Sequence, residues 1–209
     1  MLKLGTGSLA RYREEMLAED GLTAGGEAAT REWRARVDEA LAFAGVQLAP
    51  MPDEARPLSA ELDWGPYGSL VLWAAYLEQP QLARPPLEPL EWHKDPALAR
   101  CLAAGFRTRF PTLVRGVELW LPYAGDAIVA LPAPAGEDVT TASLAALELE
   151  LESLNAETWR ATTKEALAWR EGIDRSSAKL EDLARRGYAI FSGLCAHATR
   201  DGLALWLDY

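Results

Sequence analysis

The stretch Val117-Glu-Leu-Trp-Leu121-Pro-Tyr-Ala-Gly-Asp126-Ala-Ile-Val-Ala-Leu131 decides the fold class. Two five-residue runs rich in β-branched and aromatic residues flank a segment containing Pro and Gly. That pattern predicts two strands, 117–121 and 127–131, joined as an antiparallel hairpin.

Outward from this pair the chain alternates helices with single strands. Upstream, Ser8 caps a short amphipathic helix in which Leu9, Tyr12 and Met16 are apolar. A break over 21–26 precedes a longer helix, about 27–44, with Trp33, Val37, Leu41 and Ala44 spaced by three or four and Gly45 closing it. A Pro-bearing connection, 50–57, leads to 58–64, where apolar and polar residues alternate as in a half-buried strand. Gly65-Pro-Tyr-Gly68 then turns the chain into an apolar helix over about 69–78. Asp95 before Pro96 opens a further helix, a carboxylate at the cap and Pro at the first helical position.

Downstream, 132–141 reads as loop and the last third as mostly helical. Leu144, Leu147, Leu151 and Leu154 form one helical stripe, although Leu147-Glu-Leu-Glu-Leu-Glu152 also alternates like a strand. Asn155 is expected to cap a helix containing Trp159, Ala166, Leu167 and Trp169. Ser177 is expected to begin a last helix, nearly apolar all round from Tyr188 to Ala198 and therefore buried. Asp201-Gly202 ends it, and Leu203-Ala-Leu-Trp-Leu207 reads as a strand covered on both faces. The expected fold is a single α+β domain over 1–209. Its small mixed sheet, mainly antiparallel, has strands near 58–64, 117–121, 127–131 and 203–207, packed with about six helices.

Length and composition agree with this reading. A chain of 209 residues with 49% hydrophobic and 25% charged content is an average globular protein. Eight tryptophans imply either a large core or an aromatic-lined groove. There is no apolar leader at the start and no apolar run near the roughly 20 residues that span a bilayer. Cys101 and Cys195 sit in apolar surroundings, as free thiols do in a reducing compartment. The expected location is the cytoplasm.

The net charge of −10 argues against binding nucleic acid or a membrane surface and is compatible with a basic protein partner. The charge is uneven: residues 111–160 hold eight Asp or Glu against two Arg, and so carry −6 of the −10. Glu148, Glu150 and Glu152, with Glu137 and Asp138, are the candidate partner-binding residues, and the first three are expected to face water. Trp64, Tyr67, Trp92 and His93 are candidate pocket residues, because aromatic loops beside helix starts line binding sites on rigid scaffolds.

Catalytic signals are missing. The two histidines and two cysteines, His93, Cys101, Cys195 and His197, would all be needed for a soft-ligand metal site. Cys195 and His197, two apart on a helix, diverge. No metal, cofactor or nucleophilic elbow is expected. The expectation is a non-enzymatic interaction module, such as an inhibitor or immunity protein blocking a basic toxin or nuclease. The alternatives are a carboxylate-dependent enzyme using Asp63, Glu91 or Asp95, and a small-molecule binder with a Trp-lined pocket.

Overall fold

The computed structural model describes residues 2–23, 25–52 and 55–208, with Phe106 described by its backbone alone. Met1, Ala24, Asp53, Glu54 and Tyr209 lie outside the described residues, so parts of the predicted break at 21–26 and connection at 50–57 do too. In chain order the elements are β1 (Leu2–Gly7), α1 (Leu9–Glu19), α2 (Gly26–Phe43), β2 (Ser59–Leu62), α3 (Trp64–Glu78), α4 (Pro96–Ala103), α5 (Pro111–Val114), β3 (Leu119–Leu121), β4 (Val129–Leu131), β5 (Val139–Ser143), α6 (Leu144–Glu157), α7 (Thr163–Gly172), α8 (Leu180–Asp201) and β6 (Ala204–Asp208). The class is α+β, with a six-stranded mixed sheet ordered β2-β1-β6-β3-β5-β4.

The chain divides into two compact units. One gathers Leu2, Glu61–Gly116 and Glu148–Gly193; the other gathers Lys3–Ala60, Val117–Leu147 and 194–208. The second holds β3, β4, β5 and β6 entire and most of β1.

In this sheet-bearing unit β6 pairs antiparallel with β1, placing Asp208 opposite Lys3 and Trp206 opposite Gly5. It also pairs antiparallel with β3, Trp206 lying opposite Leu119. The prediction of β6 as a strand covered on both faces holds, since all five of its residues are buried. β1 was not expected because Gly5 and Gly7 weaken any strand signal. A side-chain carbon at Gly5 would lie 2.6 Å from the Trp206 ring, so only glycine lets that indole lie across the strand. On one face of the sheet, Leu9 and Tyr12 of α1 and Trp33, Val37 and Leu41 of α2 pack with Leu119, Leu121, Leu131, Val139 and Trp206. Leu9 and Tyr12 of α1 and Trp33, Val37 and Leu41 of α2 follow the predicted stripes, whereas Ala44 is the exposed C-cap of α2; Ser8 caps α1 as expected, accepting from the Arg11 N–H at 3.4 Å.

The predicted hairpin does not form. β5 lies between β3 and β4, parallel to β3 and antiparallel to β4. Two physical causes combine. All three residues of β3 are buried, so the strand needs neighbours on both edges, whereas β4 keeps Ala130 exposed and suits an edge. After β3 the chain also bends at once to another neighbour: the Tyr123 N–H donates back to the Leu121 carbonyl at 2.9 Å, Tyr123 bridges Leu48, and the Ala49 N–H donates to the Pro122 carbonyl at 3.0 Å. The turn residues thus serve a different partner. Residues 139–143, of which the sequence assigns 139–141 to a loop, supply the intervening strand.

The helical unit is built on α3, in which eleven successive residues from Pro66 to Tyr76 are buried. This helix starts at Trp64, five residues earlier than expected, and is more completely buried than α8. Asp95 caps α4 as predicted, accepting from the Ala97 N–H at 2.8 Å, and it also accepts from the Tyr76 hydroxyl at 2.9 Å. The leucine stripe at 144–154 is helical, which settles 147–152 as helix. Asn155 is not a helix cap. It sits inside α6 and clasps Ala161 through both the backbone N–H and the carbonyl, at 2.9 and 2.8 Å. Thr162 caps α7 instead, with Glu165 completing a capping box. α8 begins at Leu180 rather than Ser177, whose hydroxyl donates to Asp182 at 2.7 Å.

Candidate functional site

α1 projects Tyr12, Met16, Glu19 and Asp20 toward one side, as spacings of four, three and four residues require. Beside them lie Leu207 and Asp208 at the end of β6, Glu118 just before β3, and the 133–139 segment between β4 and β5 with Glu137 and Asp138. Together they line a cleft of about 310 Å³. Six of its lining residues are Asp or Glu, and none is Lys or Arg. The nearest cation in register is Lys3, opposite Asp208, but its ammonium group donates to Glu15 at 2.9 Å.

Burial and the neighbouring Glu19 push the Asp208 carboxyl up to about 7. Tyr12 is 3% exposed. Its ring sits 5.7 Å from Trp206 and 6.2 Å from Trp33 between centroids. Burial first, then the charges of Glu118 and Asp208, hold its hydroxyl far above the usual tyrosine range. Chemically the cleft offers carboxyl groups and one neutral hydroxyl, with no histidine and no cysteine in its lining. Among the described residues no group of three or more His, Cys, Asp or Glu is placed to hold a metal ion.

The sequence candidates divide. Glu137 and Asp138 are exposed and line the cleft. Glu148, Glu150 and Glu152 belong to the helical unit, and Glu150 does not face water: it is 6% exposed. Its carboxylate accepts the Thr112 N–H at 2.9 and 3.1 Å and the Leu113 N–H at 3.1 Å, satisfying the start of α5. Burial pushes it up to about 7 against those hydrogen bonds. Glu148 is half-buried and Glu152 exposed.

Tyr67, Trp92 and Trp64 pack edge-to-face, with Tyr67 stacked on Phe191 at 6.1 Å. The Trp92 indole fills the space a side chain at position 68 would take. Trp64 is 45% exposed at the edge of this cluster, and His93 is exposed beside Trp92. Asp95 is held by its cap and Tyr76, and Glu91 pairs with Lys94.

Three of the four soft ligands are engaged elsewhere, and His93 is exposed. The Cys101 thiol points to the Ala75 carbonyl and that of Cys195 to the Leu144 carbonyl, both buried. His197 meets the Arg56 carbonyl at 3.0 Å and Asp201 at 3.1 Å. The tryptophans mostly build packing: Trp73 stacks on Trp159, Trp159 meets Trp169 and Tyr188 edge-on, and the Arg84 guanidinium lies 3.6 Å above Trp73.

Sequence reasoning missed Tyr12, Glu19, Asp20, Glu118 and Asp208, because they come from three distant places in the chain. A local signal existed. Glu19 and Asp20 put negative charge at the C-terminal end of α1, where the helix dipole favours cations, and Asp208 ends an otherwise apolar strand. Choices that a local rule disfavours are where function is expected.

Comparison with family models, with curated proteins and with solved structures gives no match. Among the described residues no helix is long and apolar enough to cross a membrane.

Proposed function

We propose that this protein is a non-enzymatic interaction module whose acidic cleft receives a basic segment of a partner protein, in the manner of an inhibitor or immunity protein acting on a basic toxin or nuclease. The supporting observation is the cleft itself: six acidic residues converge from the C-terminal end of α1, the residue before β3, the end of β6 and the 133–139 segment, with no Lys or Arg in the lining. Like charges gathered this way raise one another's cost, and a cation from a partner relieves it. Two buried free thiols favour a reducing compartment, and we place the protein in the cytoplasm.

The test is a charge reversal on exposed positions. Glu19, Glu137 and Asp138 are all exposed, so converting the three to Lys leaves the core untouched. Affinity capture from the native cell extract should recover a basic protein with wild type and lose it with the triple variant. Reversing Glu148 and Glu152, which lie outside the cleft, should keep it. The wild-type interaction should weaken steeply as salt rises, since exposed charges are screened beyond about 8 Å at physiological ionic strength. Identical recovery by wild type and the cleft variant would defeat the proposal.

A further inference from the structure

The aromatic residues at the start of α3 stand around a carboxylate that no described residue neutralises. Gly65 and Gly68 are three apart on α3 and so lie on one stripe of the helix. A side-chain carbon at Gly65 would lie 2.9 Å from Oε2 of Glu88, and one at Gly68 would lie 2.7 Å from Cγ, Cδ1 and Cδ2 of Trp92. The two bare glycines thus let the Glu88 carboxylate and the Trp92 indole rest on the helix one turn apart, with footholds roughly 5–6 Å from each other. Trp64 and Tyr67, also three apart, occupy the adjoining stripe. Their rings lie 6.2 Å apart at 66°, and Tyr67 meets Trp92 at 5.7 Å and 90°. Three rings in crossed planes and one carboxylate form four corners about a single turn of helix.

Glu88 is half-buried. Its N–H donates to the Ala178 carbonyl at 2.9 Å, which fixes the residue, but its side chain makes no hydrogen bond or ion pair among the described residues. Burial alone pushes its carboxyl up, with no neighbouring cation acting against it. Lys94, two residues after the indole in the chain, is taken by Glu91 at 2.5 Å. The Glu88 oxygens stay in touch with solvent, since they are absent from the fully buried polar atoms that lack a partner. Trp64 is exposed, as are Leu87 and Leu90 on either side of Glu88, so the group is open to an incoming cation.

The chemistry of the four corners selects among cations. An ammonium brings three N–H donors and a guanidinium five, more than one carboxylate can satisfy. Methylation removes those donors and keeps the charge, and its methyl groups pack on aromatic faces that attract a cation within about 6 Å of a ring centroid. We infer that Glu88 with Trp64, Tyr67 and Trp92 forms a binding site for a methylated ammonium group, the carboxylate neutralising the charge and the rings receiving the methyl groups. Such a group reaches the site on a free choline-like amine or on a methylated lysine of another protein. The site uses none of the residues of the acidic cleft, so it stands or falls independently of the docking role proposed above.

The test adds four probes to the full chain at pH 8: choline, blocked trimethyllysine, blocked lysine, and dimethylbutanol as the uncharged isostere of choline. Binding is followed by nuclear magnetic resonance through the indole N–H signals of the eight tryptophans, assigned by replacing each in turn. Choline or blocked trimethyllysine should shift the Trp64 and Trp92 signals saturably, with blocked lysine and the alcohol at least about fivefold weaker. Either methylated probe acting in this way supports the site, and the tighter of the two names the source. Trp64→Ala should weaken binding about two- to fivefold, the factor one exposed cation–π contact carries. Glu88→Gln should weaken the charged probes by about fivefold and leave the alcohol unchanged. Should Trp64→Ala fail to fold, the wild-type series and Glu88→Gln still decide. Unmoved Trp64 and Trp92 signals with both methylated probes, an alcohol or blocked lysine that binds as tightly as they do, or unchanged affinity in Glu88→Gln overturns the site.

Discussion

Replacing Glu150 separates a structural carboxylate from a surface charge. By sequence it belongs to an acidic face and Glu150→Lys should be harmless. In the structure it is buried and satisfies the N–H groups of Thr112 and Leu113. Leaving each buried donor without an acceptor costs about 1–3 kcal/mol, and burying an unpaired ammonium adds to that. Glu150→Lys is therefore expected to lose more than about 3 kcal/mol, enough to unfold a marginal protein.

Glu150→Gln keeps a carbonyl acceptor and isolates the charge. The carboxyl of the folded protein is raised from 4.5 to about 7 by burial. Between those values the folded chain keeps a proton that the unfolded chain has released, so this group's contribution to stability falls as pH rises from about 4.5 through about 7. A shift of that size corresponds to about 3 kcal/mol. The glutamine variant lacks this loss and should gain on wild type by up to about 3 kcal/mol between pH 5 and pH 8, measured by urea unfolding. Asp208 titrates in the same direction but is present in both proteins, so it cancels in the difference. Parallel pH profiles for the two proteins would refute the burial argument, as would a lysine variant of wild-type stability.

Two further outcomes follow from packing. A side-chain carbon at Gly187 of α8 would lie 2.3 Å from the Pro66 carbonyl oxygen of α3, so Gly187→Ala should destabilise by about 1–3 kcal/mol or more; a neutral effect in urea unfolding would show that the two helices separate easily. β6 stands between β1 and β3 in the sheet. Truncating the chain before Leu203 strips both neighbours of their ladder and should yield insoluble or molten protein, and a monodisperse product with native near-ultraviolet dichroism would contradict this.

Much of the local structure was legible because its causes are adjacent in sequence. Ser8 reads as a cap because the N–H it serves is three residues on, and Asp95 with Pro96 announces α4 for the same reason. The Leu144 to Leu154 stripe, the α2 periodicity and the apolar run of β6 each report a buried face through spacing alone. Where the signal failed, the deciding partner was remote. Leu2–Gly7 carries no strand signal of its own, and Gly5 is explained only by Trp206, about two hundred residues away, whose ring fills the space beside it. Val139-Thr-Thr141 reads as the end of a loop, yet with Ala142 and Ser143 it is the strand that β3 and β4 both require.

The sequence alone determined the α+β class, most helices and their inward faces, the C-terminal strand, and an excess of acid over base. Capping, periodicity and net charge depend on residues near each other in the chain or on none in particular. Only the tertiary structure decided the strand order and the fate of each carboxylate. It buried Glu150 as an acceptor for α5, and it brought Glu137 and Asp138 beside Glu19, Asp20, Glu118 and Asp208. Strand pairing and electrostatic repulsion act through space, so which acids share a cleft is settled by where the β-strands and α1 end, not by how far apart their residues lie in the chain.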